Sequence, residues 1–170
     1  MNKRNWHSIL IVGLALMLAG LLIACAEEPE VGLEIGNIAP NFTLQTIDGE
    51  TVTLSDFRGK IVMVNIWLTD CKGCVDEMAH IQAVFDECSD EELMILAINA
   101  TDSAVTVKEF INSQGFTFPI LVDPHGQVTR DYCKFGAPTT FFIDSKGIVT
   151  AIQHSAFLSP DEIESILEAL

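Results

Sequence analysis

The chain has 170 residues, 49% of them hydrophobic, with 9 Lys and Arg against 24 Asp and Glu, a formal charge of −15. A surface this acidic repels polyanions, so nucleic-acid binding is excluded as a function class. Part of the hydrophobic excess is concentrated at one end, where Ile9 to Ala24 is apolar and uncharged.

Lys3 and Arg4 precede that apolar run, and Leu22-Ile23-Ala24-Cys25 closes it. A basic start, an apolar core and small residues before a cut describe an export signal. A cysteine at the cut resembles the bacterial lipobox. That resemblance implies that Cys25 is lipidated and becomes the first residue of the mature protein. The alternative is an uncleaved membrane anchor, since the run is nearly long enough to span a bilayer. On either reading residues 1–24 stand outside the fold and the rest of the chain lies outside the cytoplasm. Residues 25–35 read as a short acidic tether. Residues 36–170 read as one domain, long enough to bury a real core. Without Lys3 and Arg4 the chain keeps 7 basic against 24 acidic residues, a formal charge of −17.

Along the domain, strands alternate with helices. Phe42 to Leu44 and Thr51 to Leu54 flank Asp48-Gly49, a hairpin signal. Ile61 to Trp67 is apolar and rich in β-branched residues, as a buried strand is. A helix over Cys74–Glu87 follows. Leu93 to Asn99 reads as a strand, and Val105 to Gln114 as a helix that Gly115 stops. Pro119 to Val122 is a short extended piece, and Gln127 to Tyr132 a helical turn. Thr139 to Ile143 and Ile148 to Ile152 are strands around an Asp144-Ser145-Lys146-Gly147 turn. Ser159 to Leu170 is a closing helix, with Ser159 as N-cap, Pro160 at the first helical position and Glu162 completing a capping box. This order predicts an α/β fold with a mixed sheet.

The chemistry centres on Cys71-Lys72-Gly73-Cys74, placed where the third strand gives way to a helix. A cysteine at a helix N-terminus meets the positive end of the dipole and free N–H groups. Both favour the thiolate, the reactive form. Two cysteines one turn apart can close and reopen a small disulfide, which reads as thiol–disulfide exchange.

Three stretches carry a family resemblance. Gly36-Asn37-Ile38-Ala39-Pro40-Asn41-Phe42-Thr43-Leu44 is similar to the opening of the redoxin group. Gly59 to Trp67, followed by Cys71-x-x-Cys74-x-x-Glu77-Met78, resembles the ResA/TlpA branch. Gly136-Ala137-Pro138-Thr139-Thr140-Phe141-Phe142-Ile143-Asp144 is similar to that branch's proline loop and following strand. The resemblance runs from about Gly36 to the C-terminus. It implies a thioredoxin fold, a central mixed sheet flanked by helices, with an added N-terminal hairpin. It also implies a membrane-tethered, extracytoplasmic thiol–disulfide oxidoreductase whose relatives often reduce apocytochrome c before haem attachment. Its redox centre is the Cys71–Cys74 disulfide, with no metal or organic cofactor. Re-reduction falls to a membrane thiol donor of the DsbD/CcdA type.

By the same resemblance Cys71 is the attacking, more exposed cysteine and Cys74 the resolving one. Glu77 is a glutamate beside the pair, and Asn65 stands where thioredoxin itself has a buried aspartate. Pro138 is the proline that is cis in this fold, so Ala137–Pro138 is expected to be cis. That turn presents the Ala137 backbone to an extended substrate peptide by strand-like pairing. Trp67, four residues before Cys71, either packs the core or lies beside the site and touches substrate.

The chain departs from the pattern at Asp70, Gly73 and Ala79, where relatives have an aromatic and two prolines. Asp70 opposes thiolate formation at Cys71 and Lys72 favours it. Cys88 and Cys133 either stay free and partly buried or form a second disulfide. His80 near the pair invites a zinc reading, but ligands at zinc-finger spacing are missing, so it reads as a solvent-facing helix residue. His125, His154, Asp48, Asp123 and Asp144 read as surface or turn residues. Two other function classes compete. A peroxiredoxin-like peroxidase shares the redoxin opening, but neither Cys71 nor Cys74 follows the P-x-x-x-T-x-x-C pattern. A non-catalytic binding domain with a structural disulfide would not need the Cys71, Cys74, Glu77 and Pro138 set.

Overall fold

The structure is a computed structural model that describes residues 29–88 and 92–170. The expected signal over 1–24, Cys25 and the start of the tether lie outside the described residues. The elements run β1 (Thr43–Thr46), β2 (Thr51–Thr53), a 3-10 turn (Leu54–Phe57), β3 (Ile61–Trp67), α1 (Lys72–Glu87) and β4 (Leu93–Asn99). Then come α2 (Ala104–Gln114), β5 (Ile120–Val122), α3 (Thr129–Tyr132), β6 (Thr139–Ile143), β7 (Val149–Gln153) and α4 (Pro160–Leu167). The strands form one sheet in the order β2-β1-β5-β4-β3-β6-β7. β3 runs parallel to β4 and β4 to β5, while β6 is antiparallel to β3. This is the thioredoxin fold with the N-terminal hairpin added at the β5 edge.

β3 lies at the heart of the sheet, and its alternation divides the core. Met63 and Trp67 face a layer with Met78, Ile81 and Val84 of α1, Val107 and Ile111 of α2, and Ile163 of α4. Val62, Val64 and Ile66 face the other layer, with Leu54, Val128, Tyr132 and Phe141. Strands buried on both faces read as unbroken apolar runs, which is why β3, β4 and β6 have the expected bounds.

The ends differ more. Ser159 does not cap α4 through its side chain. Glu162 accepts instead from the Leu158 N–H at 3.0 Å, one residue earlier than a capping box requires. α4 closes at Leu167 rather than Leu170. Gly115 stops α2 in the left-handed region (φ 78°), which only glycine adopts without strain. Part of the stretch expected as tether is docked. The Gly32 N–H donates to Ile38 O at 2.9 Å, and Val31 bridges to Ile38. Among the described residues no helix is long and apolar enough to cross a membrane.

Asp123, expected as a turn residue, is 1% exposed and does more than turn the chain. Its carboxylate accepts from the Gln127, Val128 and Thr129 N–H groups at 2.8–2.9 Å, and from Thr129 Oγ1 at 3.1 Å. It thereby fixes the start of α3, the element that leads into the Pro138 loop. Asp123→Ala leaves these donors without an acceptor in a mostly buried place. The expected loss is about 3 kcal/mol of folding stability, read by urea unfolding.

Candidate active site

α1 begins one residue after Cys71, which is its N-cap, and Cys71 and Cys74 are joined as a disulfide with Cα atoms 5.3 Å apart. The Cys74 N–H donates to Cys71 Sγ at 3.2 Å. A free helix N–H thus points at the sulfur that would carry thiolate charge after reduction. The two sulfurs differ in access: Cys71 is half-buried, whereas Cys74 is 0% exposed. Cys71 Sγ lies 3.7 Å from the Ala137 carbonyl oxygen, and Ala137–Pro138 is cis as expected. The loop before the pair is held from the side. Thr69 Oγ1 donates to Asp102 Oδ2 at 2.8 Å, and the Ala100 N–H donates to Trp67 O.

Glu77 faces inward on the same stripe of α1 as Cys74 and is 0% exposed. Asn65 Nδ2 donates to its Oε1 at 2.8 Å, and the Phe157 N–H to its Oε2 at 3.1 Å. Asn65 Nδ2 also donates to Thr140 Oγ1 at 2.9 Å. Among the described residues no cation takes part in the shift of the Glu77 pKa. Burial pushes the carboxyl up from 4.5 to about 7, with the Asn65 and Phe157 hydrogen bonds pulling it back down. A surface role for Glu77 is thereby ruled out.

The other expected residues fall into place around this centre. Trp67 is 0% exposed, its ring 5.7 Å from that of Phe110, so it packs the core and presents no surface to a substrate in this state. Lys72 Nζ pairs with Asp76 Oδ2 at 2.5 Å, so its charge is shared with the exposed side of the helix, and Asp70 is exposed. His80 is half-buried rather than fully solvent-facing. Gly73 packs near Ala156, which a Cβ at residue 73 would meet at 3.6 Å. Cys88 and Cys133 are both free. They pack against opposite layers of the core, with the sheet between them, so the second disulfide does not form. Burial, with Glu164, Glu92 and Glu87, pushes the Cys88 thiol up, and burial pushes Cys133 up despite the Gly136 N–H. Both are thereby held as poorly reactive thiols.

One partner of Glu77, Phe157, and the second partner of Asn65, Thr140, were not legible as such. Thr140 is a hydroxyl inside an otherwise apolar strand, and its register opposite Asn65 was the available signal. Phe157 acts through its backbone, which leaves no mark in the sequence.

The raised carboxyl has a consequence for stability. The folded chain holds the Glu77 proton more tightly than the unfolded chain, so it binds more protons between pH 4.5 and about 7. Stability is therefore full below 4.5 and falls as pH rises through that window. Glu77→Gln should remove this fall, of about 3 kcal/mol. Chemical unfolding of both proteins at several pH values checks it.

With the geometry in hand, comparison with known proteins gives a consistent result. Residues 35–152 match the AhpC/TSA family. "Thioredoxin-like protein YneN" of Bacillus subtilis (strain 168) is 36% identical over 171 residues, covering 99% of each chain. "Thiol-disulfide oxidoreductase ResA" of Geobacillus thermodenitrificans (strain NG80-2) is 32% identical over 173 residues, covering 100% of this chain and 99% of that one. The crystal structure of the pneumococcal exposed lipoprotein thioredoxin of Streptococcus pneumoniae strain TIGR4 has a TM-score of 0.68 at 27% identity. It covers 77% of this chain and 100% of that one. A buried Cys74 and a half-exposed Cys71 at a helix N-terminus, on this fold and among these relatives, lead to one conclusion: the chain belongs to the AhpC/TSA family and is a thiol–disulfide oxidoreductase whose cysteine pair is Cys71–Cys74.

Proposed function

We propose that this protein is an extracytoplasmic, membrane-tethered reductant of protein disulfides, with apocytochrome c as its candidate substrate. The observation that carries the reading is the unequal access of the two sulfurs, one half-buried and one fully buried. Only Cys71 can meet a bulky partner, and only Cys74 is placed to attack Cys71 from within.

Thiolate Cys71 attacks one sulfur of a substrate disulfide. The other substrate sulfur leaves as a thiolate and takes a proton from solvent. Cys74 then passes its thiol proton to Glu77, attacks Cys71 Sγ, and releases the second substrate thiolate. Two electrons have moved, so the substrate is reduced to two thiols and Cys71–Cys74 is oxidised. A membrane thiol donor of the DsbD/CcdA type re-reduces the pair, because no soluble thiol pool outside the cytoplasm can be relied on. The substrate segment lies extended against Ala137 and Pro138, whose carbonyl side faces Cys71 Sγ. Phe135, 80% exposed, and Leu158, 79% exposed, offer apolar contact at the borders of the loops that frame the pair. No metal or organic cofactor enters this scheme.

Tethering rests on Leu22-Ile23-Ala24-Cys25 after the apolar run. It is supported by the lipoprotein named among the structural neighbours. Two experiments test the reading. The fragment from Ala26 onward, once reduced, should reduce insulin's disulfides. Cys71→Ser should abolish turnover, and Cys74→Ser should trap a mixed disulfide through Cys71. Trapping through Cys74 instead would reverse the assignment. Mass spectrometry of membrane-extracted protein should find a chain starting at a lipid-modified Cys25. An N-terminus at Met1, or a cut elsewhere, would refute the anchor.

A further inference from the structure

The layer of the core between α1 and the sheet is crossed by a buried polar row. Asn65 on β3 and Thr140 on β6 are direct cross-strand partners, flanked on the same face by the Met63–Phe142 pair and by Trp67. Glu77 comes down on this row from α1. All three polar residues are at most 1% exposed, so each of their hydrogen bonds must be met from within.

The donors and acceptors here can be counted. A carboxylate Glu77 is served at Oε2 by the Phe157 N–H and at Oε1 by Asn65 Nδ2. The remaining Asn65 N–H goes to Thr140 Oγ1. Asn65 Oδ1 is left without a partner, and it is buried. A protonated Glu77 has different needs. The Phe157 N–H is backbone and can only donate, so Oε2 must stay an acceptor and the proton must sit on Oε1. The Oε1–H then faces Asn65 and needs an acceptor, while Nδ2 offers it only donors.

We propose that the Asn65 side-chain amide is a positioning device for the Glu77 proton: it turns over when Glu77 is protonated, so that Oδ1 replaces Nδ2 against Oε1, with Thr140 serving it in both positions. A hydroxyl can accept from Nδ2 in one position and donate to Oδ1 in the other, which a valine of the same shape cannot. The carboxylate position leaves one acceptor unpaired. The turned position leaves the amide N–H groups unpaired instead, which costs more. Asn65 therefore favours the charged form and holds down the proton affinity that burial raises, the direction its hydrogen bond already has. Its value to the reaction rests on the reading of Glu77 as acceptor of the Cys74 proton. The network can change its proton count there without moving the backbone.

The groups facing Glu77 are few. On α1 the Cys71–Cys74 pair, which titrates only when reduced, lies one turn before it on the same buried stripe. From the sheet Glu77 meets Asn65 and Thr140, which do not titrate, and from the loop before α4 the Phe157 backbone. His80, one turn along α1, does not enter its shift.

The test uses the disulfide form, with the Glu77 carboxyl carbon and the Asn65 amide followed by NMR against pH. Asn65→Leu should move the Glu77 midpoint upward by about one pH unit, as loss of a hydrogen bond to a charged group does. Thr140→Val, which takes one bond from each position of the amide, should move it by less. In the unaltered protein the Asn65 amide signal should change with the Glu77 midpoint, and in Glu77→Gln it should not change with pH. An unmoved or lowered midpoint in Asn65→Leu overturns the proposal, as does an Asn65 signal indifferent to the Glu77 titration. If Asn65→Leu does not fold, the Asn65 amide signal of the unaltered protein, compared with that of Glu77→Gln, decides. Exchange rates separate this from the mechanism. If Glu77→Gln exchanges disulfides at the normal rate, the proton-acceptor reading fails, while the titrations still decide the role of Asn65.

Discussion

A carboxyl group buried one turn along the helix from a disulfide, with no cation beside it among the described residues, is the constraint around which this site is arranged. Removing a carboxylate from water is costly, and a lysine or arginine beside it would hold it ionised. Here two neutral donors, an amide and a backbone N–H, stand in that place. They recover only part of the cost, so the group keeps its proton up to about pH 7. A base matched to neutral pH is useful only where a proton must be moved near neutrality. In the proposed mechanism that proton is the one on Cys74, three residues earlier on the same buried stripe.

The rest of the architecture follows from placing that group. Alternation along β3 sends Asn65 to the α1 face. The antiparallel register of β6 sets Thr140 opposite it, and the chain after β7 returns to lay Phe157 N–H against the second carboxylate oxygen. The helix N-terminus holds Cys71 at the surface, and the Pro138 loop closes over it. Stability lost by burying Glu77 is offset by two apolar layers packed on both sides of the sheet.

How much of this was legible in the sequence follows from what each feature is made of. β3, β4 and β6 are unbroken runs of branched apolar residues, and their bounds were readable to the residue. The cysteine pair, Glu77 and the cis Ala137–Pro138 bond were legible because they sit in motifs with fixed spacing. Helix ends were less so: Ser159 has the residue type of a cap but not its geometry, and Glu162 bonds one residue early. Asp123 looked like a turn residue, because the three N–H groups that it collects belong to residues whose side chains say nothing of it. Trp67 left two readings open from sequence, and burial against Phe110 settles its place in the core. The pairing of Cys88 with Cys133 could be excluded only once the sheet was seen to lie between them.

The central claim is that Glu77 and Cys74 share one proton. In the reduced protein their titrations must then be coupled, each group's charge moving the other's midpoint. The direct measurement labels the Glu77 carboxyl carbon and the Cys74 β-carbon and follows both by NMR across pH. The account predicts that the two signals move together in the same two steps. A single, separate step for each, with Glu77 titrating near 4.5 as an ordinary carboxyl does, would contradict it.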